Sequence, residues 1–341
     1  MEALQWLNPW QRAFPLCRYP FAVLANHHGT TPSTVMAKLQ ALQAQGALSR
    51  IGGVFSPRAG GAALLAAMAV SPERLEKVAA LVSAHPGVNH NYEREGAYNL
   101  WFVMTARCQA SLAQSMHAVE SATQVPALRL PMVRPYRIDL GFDLQSDHAP
   151  IPFASNPQWS SPAVPDEDLP LAALVEEGLP WREAPFDAWA QSLSVPVENL
   201  LETLAHWLSI GTLRRFGIIV RHQELGFAAN AMTVFDVPPD LVDACGERLA
   251  GFAGVTLAYQ RERAVQWPYN LYCMVHGKDR ATVMAQIEAL THACGLAQCP
   301  RAILFSRRRF KQVGARRFRP LSFDGQDACT NTSGAQHVVG G

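Results

Sequence analysis

The 341-residue chain lacks the motifs that mark the common cofactor and metal sites. It contains neither a Gly-x-Gly-x-x-Gly run nor a Walker motif, which removes the usual signatures of dinucleotide and nucleoside triphosphate binding. Its seven cysteines form no Cys-x-x-Cys pair, and none lies near a histidine at the spacing of a zinc site. We therefore expect buried thiols and no metal ion held by the protein itself.

Long hydrophobic runs and an excess of one charge are also missing. No apolar segment is long enough to cross a bilayer, and the N-terminus has no signal-peptide pattern, so we expect a cytoplasmic protein without a membrane partner. The net charge is only +1. Lysine is scarce, with 4 lysines against 25 arginines. Either a biased base composition of the genome or a preference for bidentate anion recognition explains that ratio.

The sequence does contain an internal repeat. Blocks of the first half recur in the second at offsets that grow from 165 to 174 residues, so the insertions between them are short. The matching blocks are Gly46–Gly52 with Gly211–Gly217, Gly87–Val88 with Gly254–Val255, Tyr98–Leu100 with Tyr269–Leu271, and Arg134–Arg137 with Arg308–Lys311. Two homologous modules therefore share one chain.

Each module starts with helical patterns and continues in the order strand–helix–strand–strand–helix–strand. We predict an α+β fold with two tandem modules, each a winged helix-turn-helix domain followed by a ferredoxin-like βαββαβ domain. Single unbroken strands over 128–138 and 302–312 are predicted to end the two modules. The predicted boundaries are 1–60 and 61–142 for the first module, 143–167 for a proline-rich linker, 168–226 and 227–320 for the second module, and 321–341 for a disordered tail.

A duplicated motif carries the residues best suited to chemistry. His90–Arg94 runs into Tyr98–Phe102, and Tyr259–Arg263 runs into Trp267–Tyr272. Arginine offers a planar fork for carboxylates, and the aromatic rings offer flat faces and phenolic protons. A large, flat ligand with many negative charges would use both.

Longer blocks of the chain resemble a known family. Arg214–His222, Leu225–Met232 and His90–Trp101 are similar to the siroheme decarboxylases of the Ahb/Nir family, whose fold is that of the Lrp/AsnC transcription regulators. The first half resembles the NirD-type subunit and the second the NirL-type, so the whole resembles the fused NirDL type. The resemblance covers roughly residues 5–142 and 168–319.

The resemblance implies a carboxy-lyase that removes the acetate carboxyl groups at positions 12 and 18 of siroheme. The product is 12,18-didecarboxysiroheme, on the way to haem d1 or, by an alternative route, to haem. No cofactor is implied, because no redox step occurs and the iron enters as part of the substrate. The protein must hold the remaining carboxylates, desolvate the reacting one and supply a proton.

Four side chains are candidates for the proton donor. His90 and His222 lie beside arginines within the family-like blocks, and imidazole titrates near neutral pH and can also ligate iron. Tyr92 and Tyr259 are duplicated phenols that could deliver the proton instead. The structural alternatives are a satisfied histidine and an aromatic ring that packs across strands.

Nine further residues are candidates for binding the substrate: Arg94, Arg214, Arg215, Arg221, Arg261, Arg263, Trp101, Trp267 and Tyr272. Arg263 lies two residues after Arg261 and shares its face if the strand continues. The alternatives are surface ion pairs for the arginines of the duplicated motif, domain bridging for the arginines near 214–221, and core packing for the aromatic residues.

Binding to nucleic acid is not expected. A DNA-reading helix needs cations for the phosphates. The first candidate helix, 31–49, has only Lys38, and the second, 194–213, has no cation but carries Glu198 and Glu202. A ligand-responsive transcription regulator and a siroheme or haem carrier without turnover are the alternatives to the enzyme. We expect an intramolecular pseudo-dimer, with further homo-oligomerisation left open.

Overall fold

The computed structural model describes residues 6–138, 161–220 and 229–319. The helices are Pro20–His28 (α1), Pro32–Ala44 (α2), Pro72–Ala84 (α3), Gln109–Thr123 (α4), Leu169–Glu177 (α5), Pro185–Leu193 (α6), Val197–Ser209 (α7), Val242–Gly251 (α8) and Arg280–Ala293 (α9). The strands are Leu48–Phe55 (β1), Ala62–Met68 (β2), Val88–Arg94 (β3), Leu100–Ala106 (β4), Leu128–Leu130 (β5), Met132–Ile138 (β6), Leu213–Val220 (β7), Ala229–Phe235 (β8), Val255–Arg261 (β9), Leu271–Gly277 (β10) and Arg301–Gln312 (β11).

The two winged helix-turn-helix domains form one body with one hydrophobic core. Their wings, β1 and β7, pair antiparallel, with Gly52 opposite Gly217. Both glycines allow close packing, because a Cβ at Gly52 would lie 2.7 Å from the carbonyl oxygen of Val175 and one at Gly217 would lie 2.4 Å from that of Trp10. The wings therefore join the two domains.

The two ferredoxin-like domains complete each other by exchanging strand ends. In the nine-stranded sheet the order is β5-β2-β4-β3-β11-β8-β10-β9-β6. The first module's last strand pairs with its own β2 through β5, and after Pro131 it pairs with β9 of the second module through β6. In the second module, β11 pairs with its own β8 over 301–305 and with β3 of the first module over 306–312. This exchange makes the chain an intramolecular pseudo-dimer.

Three hydrophobic cores lie against this sheet. Helices α3 and α4 cover one core in the first module, and α8 and α9 cover the matching core in the second. The third core has no helix and joins side chains of both modules, among them Leu65, Trp101, Met232 and Tyr272. The helix-free face is therefore where the two modules pack on each other.

The structure confirms the predicted fold class and corrects one detail. The strand predicted over 128–138 is interrupted at Pro131, which has no backbone N–H for pairing. Residues 161–165, near the end of the predicted linker, pack on the winged body: Val164 is buried and its N–H donates to Ala59 O at 2.8 Å. The rest of the predicted linker and nearly all of the predicted tail lie outside the described residues.

The cysteines agree with the expectation in part. Cys245, Cys273 and Cys294 are buried free thiols, and Cys17 and Cys299 are partly buried free thiols. Cys108 is disulfide-bonded, so the expectation of a free thiol is wrong there. In the described part of the chain, no helix has the length and hydrophobicity to span a membrane.

Candidate functional site

A β-bulge near the start of β3 brings two consecutive polar side chains together. Val88 pairs with Met104 and His90 pairs with Val103, so one extra residue, Asn89, is inserted in β3. The Nδ2 of Asn89 donates to Thr105 Oγ1 at 3.1 Å, and its Oδ1 lies 2.7 Å from Nδ1 of His90. Bulges commonly redirect side chains beside functional sites. Here the bulge fixes the orientation of the imidazole.

The contact with Asn89 also determines the tautomer of His90. With the amide oxygen as acceptor, Nδ1 carries the proton and Nε2 presents a lone pair. Burial and, to a smaller extent, the positive charge of Arg50 lower the pKa of His90 to about 4. His90 is therefore neutral at pH 7 without ligand, and its Nε2 can accept a proton or ligate iron. Tyr92, with its ring stacked at 6.3 Å, is the neighbouring phenol.

Two further polar side chains lie opposite these residues on β11. Arg309 is paired with Tyr92, and Gln312 is paired with His90. Arg309 Nη1 donates to Gln312 Oε1 at 3.3 Å. Sequence analysis missed both residues, because nothing in the sequence shows that β11 pairs with a strand of the other module.

The repeat shows that these polar positions have apolar counterparts. The offset of 167 residues between Tyr92 and Tyr259 places Leu257 at the position of His90. The offset of 174 residues between Arg308 and Arg134 places Pro135 and Ile138 at the positions of Arg309 and Gln312. Within the described residues, these three polar side chains thus meet at the junction of β3 with β11, and their apolar counterparts meet at the equivalent junction of β9 with β6.

A cleft lies next to this cluster, between the winged body and the segment 313–319, here called the C-terminal arm. Its volume is about 220 Å³. Its lining residues are Gln43, Ser49, Arg50, Ala173, Glu176, Glu177, Val313, Gly314, Arg316 and Arg319. Both β1 and the second module's arm thus contribute to it.

The C-terminal arm is held firmly at both ends. Its first residue, Val313, donates its N–H to Asn89 O at 2.8 Å, and the N–H of Arg316 donates to Thr105 Oγ1 at 3.2 Å. The buried carboxylate of Glu176 accepts the backbone N–H groups of Arg317 and Phe318 at 2.7 and 3.1 Å. The arm thereby fixes the position of the bulge relative to the winged body.

Arg94 and Arg261, both predicted to bind substrate, hold the exchanged strands. Both are buried. Arg94 Nη1 donates to Leu304 O at 3.0 Å, and Arg261 Nη1 donates to Leu130 O at 2.6 Å. Each guanidinium also lies over the tyrosine ring two positions earlier, 5.5 Å from the ring centroid for Arg94 and Tyr92 and 4.6 Å for Arg261 and Tyr259. The surface ion-pair alternative is wrong for both, because neither forms an ion pair with a described residue; their carboxylate-binding role stays a prediction.

Arg263 does not lie on the face predicted for it. β9 ends at Arg261, so the alternation of side chains does not extend two residues further. Arg263 instead bonds to Asp236 Oδ1 at 2.6 Å and to Pro268 O at 2.8 Å. Arg263 was predicted to share the face of Arg261 only if the strand continued, and the strand does not continue.

Of the other arginines in the prediction, two lie on β7. Arg215 is buried, and its Nη1 donates to Gln11 O at 2.8 Å and to Ile218 O at 3.2 Å, which is the domain-bridging alternative. Arg214 is exposed. Arg221 and His222 lie outside the described residues, so their predicted roles stay untested.

The predicted aromatic contacts lie in the core shared by the two modules. Trp101 and Tyr272 are fully buried, and Trp267 Nε1 donates to the phenol oxygen of Tyr272 at 2.8 Å. Tyr259 stacks on Tyr272 with ring centroids 5.7 Å apart. Burial raises the pKa of Tyr272 above its usual range. This placement favours core packing, the alternative to contact with the substrate.

The helix-turn-helix surfaces fit poorly with nucleic acid. Helix α2 carries Lys38 as its single cation, and α7 exposes Glu198 and Glu202. Among the residues that the structure describes, no group of three or more His, Cys, Asp or Glu side chains could hold a metal ion.

Both kinds of domain match models of known protein families. The AsnC-like ligand binding domain model matches residues 58–137 and 224–311, and the siroheme decarboxylase NirDL-like HTH domain model matches residues 5–48. The chain is 40% identical to the siroheme decarboxylase NirDL subunit of Paracoccus denitrificans, over 92% of this chain and 96% of that protein. It is 32% identical to the siroheme decarboxylase of Hydrogenobacter thermophilus, over 90% and 92%.

Two solved structures agree with that similarity. One is a crystal structure of the siroheme decarboxylase NirDL, with a TM-score of 0.65, 29% identity and coverage of 93% of this chain and 94% of that chain. The other is the same kind of protein in complex with an iron-uroporphyrin III analogue, with a TM-score of 0.64 and the same coverage.

Proposed function

Because the chain belongs to the siroheme decarboxylase family, we propose that it removes the acetate carboxyl groups at positions 12 and 18 of siroheme to give 12,18-didecarboxysiroheme. The observation that carries this proposal is the 40% identity over 92% of the chain, which extends through both modules. The product fits a step towards haem d1, or towards haem in the alternative route.

The proposed reaction needs no redox partner. Cleavage of the bond between the acetate methylene and its carboxylate releases carbon dioxide and leaves the electron pair on the methylene carbon. That carbon is conjugated with the macrocycle and then takes up one proton to become a methyl group. The iron of siroheme enters and leaves with the substrate.

The polar cluster around His90 supplies groups for these steps. His90 presents Nε2 and is neutral in the empty protein, so it must first gain a proton to act as the donor. A bound ligand with many carboxylates favours the charged imidazolium and raises its pKa. Tyr92 is the neighbouring alternative donor, and Arg309 is a cation for a carboxylate that does not react. His222, Tyr259, Arg214 and Arg221 stay predictions for the same roles.

The direct test is anaerobic incubation of the purified protein with siroheme, followed by mass spectrometry of the extracted pigment. We expect the loss of two carbon dioxide units, through an intermediate that has lost one. A pigment that binds but is recovered unchanged would contradict the enzyme and favour a carrier of siroheme or haem.

A further inference from the structure

We propose that Arg50, on the wing of the first helix-turn-helix domain, binds a carboxylate group of the tetrapyrrole substrate next to His90. The proposal rests on the proposed function for the identity of the ligand. It gives the helix-turn-helix domain a place in the active site.

The first observation is that the guanidinium of Arg50 has few partners. Within the described parts of the chain, its Nη2 donates to Gly53 O at 3.3 Å and its buried Nε finds no acceptor. Among the described residues it forms no ion pair, because the nearby carboxylate of Glu176 bonds to Arg317. A cation that is withdrawn from water without a counter-ion is unfavourable. The burial lowers the pKa of Arg50 to about 10.

The second observation is the shape of the space beside it. Arg50 borders the cleft of about 220 Å³, together with Arg316 and Arg319. Pockets that enclose a whole drug-sized ligand measure roughly 300–1,000 Å³. The cleft is too small for a macrocycle but suits one carboxylate side chain at the edge of the ring. Glu176 and Glu177 line the cleft too, but they pair with Arg317 and Arg319. Among the described residues, Arg50 and Arg316 therefore remain as the two cations that can select a negative charge there.

The third observation is the position of the guanidinium relative to His90. Gly314 packs against it, since a Cβ on Gly314 would lie 2.5 Å from Arg50 Nη1. The preceding residue, Val313, bonds to the backbone of Asn89, next to His90. The wing, the arm and the bulge therefore meet at this point.

The charge of Arg50 also acts on the proton of His90. The charged groups that face His90 are Arg50 on β1 and Arg309 on β11; β4 contributes Val103 and Thr105, which do not titrate. Lys311 of β11 bonds instead to Ser83 O and His85 O. A carboxylate that neutralises Arg50 removes the repulsion that adds to burial in lowering the pKa of His90. Substrate binding at Arg50 thus prepares His90 to donate a proton.

The test compares Arg50→Gln, Arg50→Lys, Gly314→Ala and the charge control Arg129→Gln. Arg129 lies on β5 in an ion pair with Glu120, away from the cleft. Iron-uroporphyrin III is titrated into each variant and followed by absorbance. We expect Arg50→Gln to weaken binding by about 10- to 100-fold, as for the loss of a charged hydrogen bond. Arg129→Gln should bind like the parent protein.

Gly314→Ala keeps the charge of Arg50 but displaces its guanidinium, so it should weaken binding as well. Arg50→Lys keeps the charge and loses the fork, and should bind between the parent and Arg50→Gln. Thermal unfolding of each variant shows whether it is folded. Tight binding by folded Arg50→Gln, with KM for siroheme unchanged, would overturn the proposal.

A second readout does not depend on turnover. NMR titration of the imidazole should show a higher pKa for His90 in unliganded Arg50→Gln than in the parent protein, because a repulsive charge is gone. An unchanged pKa would contradict the placement of Arg50 beside His90. The parent protein could fail to decarboxylate siroheme while Arg50→Gln still binds iron-uroporphyrin III more weakly than the parent does. In that case the proposed function fails and the carboxylate site stands.

Discussion

At the scale of single residues, the sequence singled out His90 but not its surroundings. A histidine beside an arginine within a family-like block was visible in the chain. Arg50 and Arg309 were not, because they reach His90 through a wing and a strand that are distant in sequence. The repeat held a usable signal: His90, Arg309 and Gln312 align with Leu257, Pro135 and Ile138. Polar residues that replace apolar ones in only one copy of a repeat suggest function.

The role of His90 is tested by His90→Ala, with His222→Ala made in parallel. If His90 delivers the proton, we expect its loss to lower kcat by about 10²- to 10⁴-fold, the usual contribution of general acid catalysis. Binding of siroheme should change little, because it depends on several charged contacts. Single-turnover decarboxylation and absorbance titration measure the two effects separately.

Tyr92→Phe and Tyr259→Phe are the controls, since they keep the ring and delete only the phenol. Full activity in both histidine variants, together with loss of activity in either tyrosine variant, would assign the proton to tyrosine.

Buried histidines make stability depend on pH. Burial is the main reason that the pKa values of His85, His90 and His276 are lowered to about 4, with smaller effects from Lys311, Arg50 and Arg94, respectively. The unfolded chain, with a pKa near 6.5, binds more protons between those values, so stability is lost as pH falls from about 6.5 to about 4. Each histidine contributes a slope of up to about 1.4 kcal/mol per pH unit.

Urea unfolding of the parent protein and of His276→Gln, between pH 6.5 and 5, checks this expectation. The variant should show the shallower decline. Equal slopes would show that His276 titrates alike in the folded and unfolded chains.

At the scale of helices and strands, the alternation of apolar and polar residues predicted most strands but not which strands pair with each other. The pattern of inward and outward side chains is local, whereas the exchange of strand ends pairs residues more than 100 positions apart, such as Arg94 and Ser306. For that reason the sequence analysis predicted that Arg94 and Arg261 bind the ligand. In the structure, their guanidinium groups donate to the backbone oxygens of Leu304 and Leu130, respectively.

Arg94→Ala and Arg261→Ala test which role is correct. If the arginines hold the exchanged strands, each change should lower the free energy of unfolding by about 1.5–3 kcal/mol, the range for hydrogen bonds from charged groups. Iron-uroporphyrin III should still bind to the folded protein. Parent-like stability combined with weak binding would restore the carboxylate-clamp interpretation.

At the scale of the whole molecule, the repeat was enough to predict two modules and their internal pseudo-symmetry. The sequence could not show that both helix-turn-helix domains share one core, because that depends on glycine contacts between β1, β7 and the facing segments. The arm at 313–319 was likewise outside any motif, although it joins the bulge of β3 to Glu176.

The charge of the recognition helices predicts weak binding to DNA. Helix α2 contributes one lysine and α7 contributes two exposed glutamates, so few phosphates can be neutralised. We expect duplex DNA to bind no more tightly than the non-specific level of about 10⁻⁴–10⁻⁶ M at physiological salt. An electrophoretic mobility shift that selects a sequence at nanomolar protein would contradict this.

The exchange of strand ends also orders events during synthesis. β3, which carries His90, is flanked by β4 on one side and by residues 306–312 on the other. About 218 residues separate the end of β3 at position 94 from the end of β11 at position 312. At about 5–20 residues per second, the ribosome needs roughly 10–40 s to make that stretch. For that time the first module has an open sheet edge, and the polar cluster around His90 can assemble only after residues 306–312 have been made.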